Sequence, residues 1–195
     1  MSGRLRIRRT TSPTTLITGP PGYRRVAGQQ NKAGARAAQV VASRKKVFVV
    51  HGHDHALKGD LEIFLREIGL EPVVLHRQPD EGLTVIEKFE RHSDVGFAFV
   101  ILTPDDIAYD KSQAEVDERQ RKVEYRARQN VIFEFGYFAG KLGRANVCCI
   151  YKEGVTLPSD LSGLLYKKVT SSIEDIGYGL IQELKTAGFD LAISR

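Results

Sequence analysis

Residues 131–139 are apolar or small at every position but one, and the exception is a carboxylate, Glu134. A buried acid must be paired, protonated or held for a ligand. At helical spacing its neighbours three and four residues away are Val131, Tyr137, Asn130 and Phe138, so no base on its own helix can pair with it. Asn130 is a good N-cap, which puts Glu134 in the first or second turn of a helix with almost no solvent face. There the helix dipole favours the anion and the apolar neighbours oppose it. Such a carboxylate suits stabilisation of positive charge developing on a substrate; the competing reading is a structural glutamate satisfied near a helix start.

Two other polar clusters have residue types that bind ribose or phosphate. One is His51-Gly52-His53-Asp54, the other Thr103-Pro104-Asp105-Asp106. Gly52 lets a backbone approach a ligand closely, and the amides opening the following helix are candidates to hold a phosphate. Arg126 and Arg128 present guanidinium forks that match phosphate oxygens. Against Asp105 as a ribose ligand stands its use as an ordinary cap of the next turn. The histidines 51, 53 and 55 also allow a zinc hydrolase, but the remaining ligands are not apparent, and no metal is expected.

The elements that must position these groups start at Lys46. Residues 47–50 form a β-branched run typical of a strand buried on both faces. A helix through Leu57, Leu61, Phe64, Leu65 and Ile68 ends at Gly69, and a second strand over 72–75 leads into a loop over 77–83. The next helix, 83–91, sets Val85, Ile86 and Phe89 on one face, and 96–102 is the third strand. The charged segment 105–128 interleaves acids and bases and reads as an exposed lid or helix. After the Glu134 helix come strands at 146–151 and 164–169, a turn at Asp160 and an amphipathic helix over 173–187. Alternating β and α units predict an α/β, doubly wound, flavodoxin-like five-stranded parallel sheet in the order 2-1-3-4-5. Its ligand crevice lies where strand order reverses, between the first and third strands, and the three polar segments converge there.

Composition divides the chain in two. Ten of the 29 Lys and Arg, and none of the 24 Asp and Glu, fall in residues 1–45, leaving 19 bases against 24 acids in residues 46–195. The first part is expected to be a basic arm with at most a short helix over 35–43, followed by one domain over 46–195. Lacking stacking aromatics beyond Tyr23, the arm reads as a solvated tail, with nucleic-acid contact the less favoured reading. Adjacent Cys148 and Cys149 point to opposite faces of a strand, so reduced thiols, a cytoplasmic location and no membrane span are expected.

The segments His51 to Asp54, Leu102 to Asp106, Arg126 to Gly136, Gly140 to Gly143 and Pro158 to Asp160 resemble a bacterial family of nucleotide-binding proteins with a TIR-like (Toll/interleukin-1 receptor-like) domain. The likeness covers about residues 46–191. It implies an NAD+ glycohydrolase acting in antiphage defence, with Glu134 matching the catalytic glutamate and NAD+ as substrate rather than resident cofactor. It also implies self-association into a TIR assembly through the loop over 77–83, and a separate sensor or cyclic-nucleotide-responsive partner. In that setting His51, Gly52, His53, Asp54, Asp105, Arg126, Arg128 and Asn130 are the expected nucleotide-binding residues. A non-catalytic nucleotide-binding or signalling module is the alternative, and transfer at another N-glycosidic bond a third reading.

Overall fold

A computed structural model describes residues 45–78, 81–159 and 163–193. The expectations of a basic arm, of a short helix over 35–43 and of a turn at Asp160, and the middle of the 77–83 segment, lie outside the described residues. Strands β1 (Lys46–Val50), β2 (Glu71–Val73), β3 (Phe97–Leu102), β6 (Val147–Lys152) and β7 (Leu165–Val169) form one sheet in the order β2-β1-β3-β6-β7, parallel throughout. This is the predicted order, with the reversal between β1 and β3.

Alternation along the strands builds a core on each face. Val47, Val49, Phe97, Phe99, Ile101 and Cys148 point to one side and pack against helices α1 (His55–Glu67) and α4 (Glu174–Thr186). Phe48, Val50, Ala98, Val100, Leu102 and Cys149 point to the other, against α2 (Val85–His92) and α3 (Gln129–Leu142). Both cysteines are fully buried, and burial pushes the Cys148 thiol up to about 12 even though Lys167 acts in the opposite sense. These thiols are chemically quiet.

Three expectations need correction. Helix α3 is not buried all round: Val131, Phe135 and Phe138 face the core, while Phe133 is 61% exposed. A 14-residue helix laid on one side of a sheet has only one face to bury, however apolar its sequence. On α2, Phe89 is buried but Val85 and Ile86 are 72% and 61% exposed. The charged segment is exposed as expected, but it is not a helix. Strands β4 (Asp106–Ala108) and β5 (Glu124–Arg126) pair as an antiparallel ribbon, joined by a loop containing a 3-10 turn. Arg121 orders that loop by donating to the carbonyls of Gln113, Ala114 and Val116 and lying 4.3 Å over the Tyr109 ring. Among the described residues no helix is long and apolar enough to cross a membrane.

Candidate active site

The carboxyl ends of β1 and β2 and the start of α3 enclose a cavity of about 420 Å³. Glu134, in the second turn of α3, lines it. Among the described residues its carboxyl has no hydrogen-bond or ion-pair partner, and burial alone pushes its pKa up to about 7. His51, directly after β1, enters from the sheet. Its Nδ1 lies 2.7 Å from the Gly52 carbonyl, to which it must donate, leaving Nε2 as an acceptor 3.1 Å from Nδ1 of His76. Burial chiefly, then Lys58 and the neighbouring rings, holds His51 below the usual imidazole range despite the Gly52 carbonyl; the same burial, with Lys58 and Arg77, lowers His76.

His76 was not among the residues expected from sequence. Register starts the two exits side by side, since Phe48 pairs with Val73 across β1 and β2, and the 3-10 turn Leu75–Arg77 that follows β2 carries His76 to within 3.1 Å of His51. The two strands' exit residues carried the signal, once their register was known. Lys88 and Val85 of α2 and Leu75 and Leu83 of the segment between β2 and α2 also line the cavity.

The expected site residues divide into those that reach the cavity and those held elsewhere. Glu134, His51, Gly52, His53, Arg128 and Asn130 line it. Asn130 is not the N-cap, however. Arg128 takes that position without a side-chain cap bond, so Asn130 lies inside the first turn and the leading amides of α3 are uncapped by it. Asp54 turns away from the cavity to cap α1, accepting from the Leu57 amide at 2.9 Å and from Lys152 Nζ at 2.5 Å. Burial raises its pKa, but Lys152 and the helix amides outweigh that and leave it below the ordinary carboxylate value. The anion site expected at the start of α1 is therefore taken by the protein's own carboxylate.

Asp105 is likewise internal. Its Oδ2 accepts from the His53 amide at 3.1 Å and its Oδ1 from the Thr103 hydroxyl at 2.8 Å, joining the loops after β1 and β3. A Cβ on Gly52 would lie 1.8 Å from Asp105 Oδ2. The glycine is thus required for this carboxylate to close in, besides its place in the cavity wall. Arg126 sits on β5, pairs with Glu124 at 2.7 Å and lines a second cavity, beside Ile107 and Leu157, instead of the one holding Glu134. Among the described residues no group of three or more His, Cys, Asp or Glu side chains is arranged to hold a metal ion.

The cavity thus lies at the ends of β1 and β2 rather than at the expected crevice between β1 and β3, and among the described residues none of the loop after β3 lines it. The molecule is a TIR-like α/β domain whose cavity holds a carboxyl without a partner among the described residues, together with two histidines whose charged forms are disfavoured. Its sequence matches the model of the CAP12/Pycsar effector protein TIR domain over residues 46–171, and the chain belongs to that family. It is 47% identical over 126 residues to the uncharacterized protein YuaY of Escherichia coli (strain K12), covering 64% of this chain and 40% of YuaY. It is 38% identical over 140 residues to protein tirC of Dictyostelium discoideum, covering 68% of each. To the Pycsar effector protein PaPycTIR of Pseudomonas aeruginosa it is 40% identical over 77 residues, 38% of this chain and 22% of that protein. The chain thus spans well under half the length of YuaY and of the Pycsar effector.

Proposed function

We propose that this domain is an NAD+ glycohydrolase, with Glu134 as the group that stabilises the reacting ribose, and that it serves as an effector in bacterial antiphage defence. The observation that carries the reading is the state of Glu134: a carboxyl exposed to a cavity, desolvated to a pKa of about 7 and without a partner among the described residues. In NAD+ the nicotinamide is already cationic and departs neutral, so the bond breaks without a general acid. What the transition state needs is a negative group beside the ribose ring as it turns positive. The nicotinamide cation itself draws the carboxyl into its ionised form on binding, since an opposite charge favours the charged state. Arg128, together with the uncapped amides of α3, suits the pyrophosphate. His51 and His76, both disfavoured as cations, offer neutral hydrogen-bonding rings at the mouth without competing for the positive centre.

Activation by self-association accords with the exposed apolar Val85, Ile86 and Phe133 on the two helices that border the cavity. A separate sensor or cyclic-nucleotide signal is the partner suggested by the Pycsar and CAP12 relatives. The test is NAD+ consumption across a protein concentration series with products identified by mass spectrometry. The reading expects nicotinamide release that rises more steeply than protein concentration and is lost in Glu134→Gln. No release from the assembled protein would make the domain a binding module instead.

A further inference from the structure

We propose that Arg77, anchored on the buried carboxylate of Glu62, is a positioning residue for the cavity: it sets the turn after β2 against α1 so that His76 meets His51. The inference rests on the reading of that cavity as the NAD+ site. Glu62 lies on α1, is 1% exposed and does not line the cavity. Its Oε2 accepts two guanidinium groups, Arg66 Nη2 at 2.9 Å and Arg77 Nη1 at 2.7 Å. Lys58 Nζ stands 3.6 Å from Oε1, an oxygen that has no hydrogen bond of its own.

The two arginines do different things from one acceptor oxygen. Arg66 is four residues along the same helix, so its contact ties α1 only to itself. Arg77 belongs to the 3-10 turn Leu75–Arg77 that leaves β2, so its contact ties that turn to α1. The turn keeps its own backbone bonds, Arg77 amide to Val74 carbonyl at 3.1 Å and Gln78 amide to Leu75 carbonyl at 3.0 Å. Those bonds define its shape but not its placement. Strand register brings the turn alongside β1 and the ion pair seats it against α1; the residues so seated are Leu75, in the cavity wall, and His76, whose ring nitrogen must reach within 3.1 Å of His51. Because Glu62 is desolvated, its hold on Arg77 is stronger than a surface pair would be, even though the arginine itself is half exposed.

Arg66 provides the control. In the full chain, Arg77→Ala is expected to raise KM for NAD+ about fivefold or more with kcat within about twofold. Its His51 and His76 ring-nitrogen NMR signals should lose the signature of a shared hydrogen bond. Arg66→Ala, which removes a cation from the same oxygen, should leave KM within about twofold and the ring signals in place, and Arg77→Lys should recover part of the loss. Equal KM shifts in both alanine variants, or unchanged ring signals in Arg77→Ala, would overturn the proposal. Should the wild-type chain cleave no NAD+, the ring-nitrogen comparison still decides the matter, because it reads the turn's position without any turnover.

Discussion

Two acids, one fully buried and one half-buried, meet opposite fates in this domain. Glu62, on the α1 side of the sheet, gathers Arg77, Arg66 and Lys58 within 4 Å. Glu134, on the α3 side, has none of these and answers burial by shifting its pKa to about 7. Both sit on helices that cover the same sheet, so the fold itself does not impose the difference. A carboxylate that serves architecture is supplied with cations by nearby residues. One left without them costs stability, and this one lines a cavity. Asp54 and Asp105 fall on the Glu62 side of this division, since their acceptors are occupied by Lys152 and by backbone and hydroxyl donors.

The contrast is open to direct attack. The largest effect belongs to Glu134→Gln, which should reduce NAD+ cleavage by about a hundredfold or more while making the fold more stable. The sign follows from linkage. Glu134 ionises near 4.5 when unfolded but near 7 in the fold, so stability is lost as pH rises between these values and the full cost applies above them. Removing the charge should recover up to about 3 kcal/mol at pH 8 and almost nothing at pH 4, as read from denaturant melts at the two pH values. Glu62→Gln should do the reverse, destabilising by about 3 kcal/mol because it strands the buried Lys58 and releases Arg77. If neutralising Glu62 and neutralising the half-buried Glu134 shifted stability in the same direction, the distinction would be erased.

Kinetics sharpen it further. If the ionised carboxyl is the working form, kcat/KM for NAD+ should climb about tenfold per pH unit below the pKa and level off above pH 7. A profile flat from pH 5 to 8 would place the essential group elsewhere. At the occupied acids the effects are smaller and structural. Gly52→Ala should cost about 2 kcal/mol through its clash with Asp105, and much of that cost should vanish in an Asp105→Ala background, giving a coupling of about 1 kcal/mol. Asp54→Ala should remove about 1 kcal/mol by uncapping α1, with KM for NAD+ unchanged.

By itself the sequence determined the parallel order of the five strands, the place where that order reverses and the acid that interrupts the apolar run 131–139 with no base at helical spacing. Each depends on what repeats locally along the chain: runs of β-branched residues, the spacing of apolar side chains, the residues one turn away from Glu134. Only the tertiary structure decided which polar side chains were already engaged. Asp54 is occupied by a lysine 98 residues away, Asp105 by an amide 52 residues away, and His51 meets a histidine 25 residues away. No local pattern encodes those partners, because they are brought together by strand register and by where each strand stops. The same cause removed Arg126 from the cavity: a ribbon pairing between residues far apart in a charged segment turned it toward Glu124. Residue chemistry nominates the groups that can act, and the long-range closure of the sheet leaves Glu134 as the acid facing the cavity without a partner among the described residues.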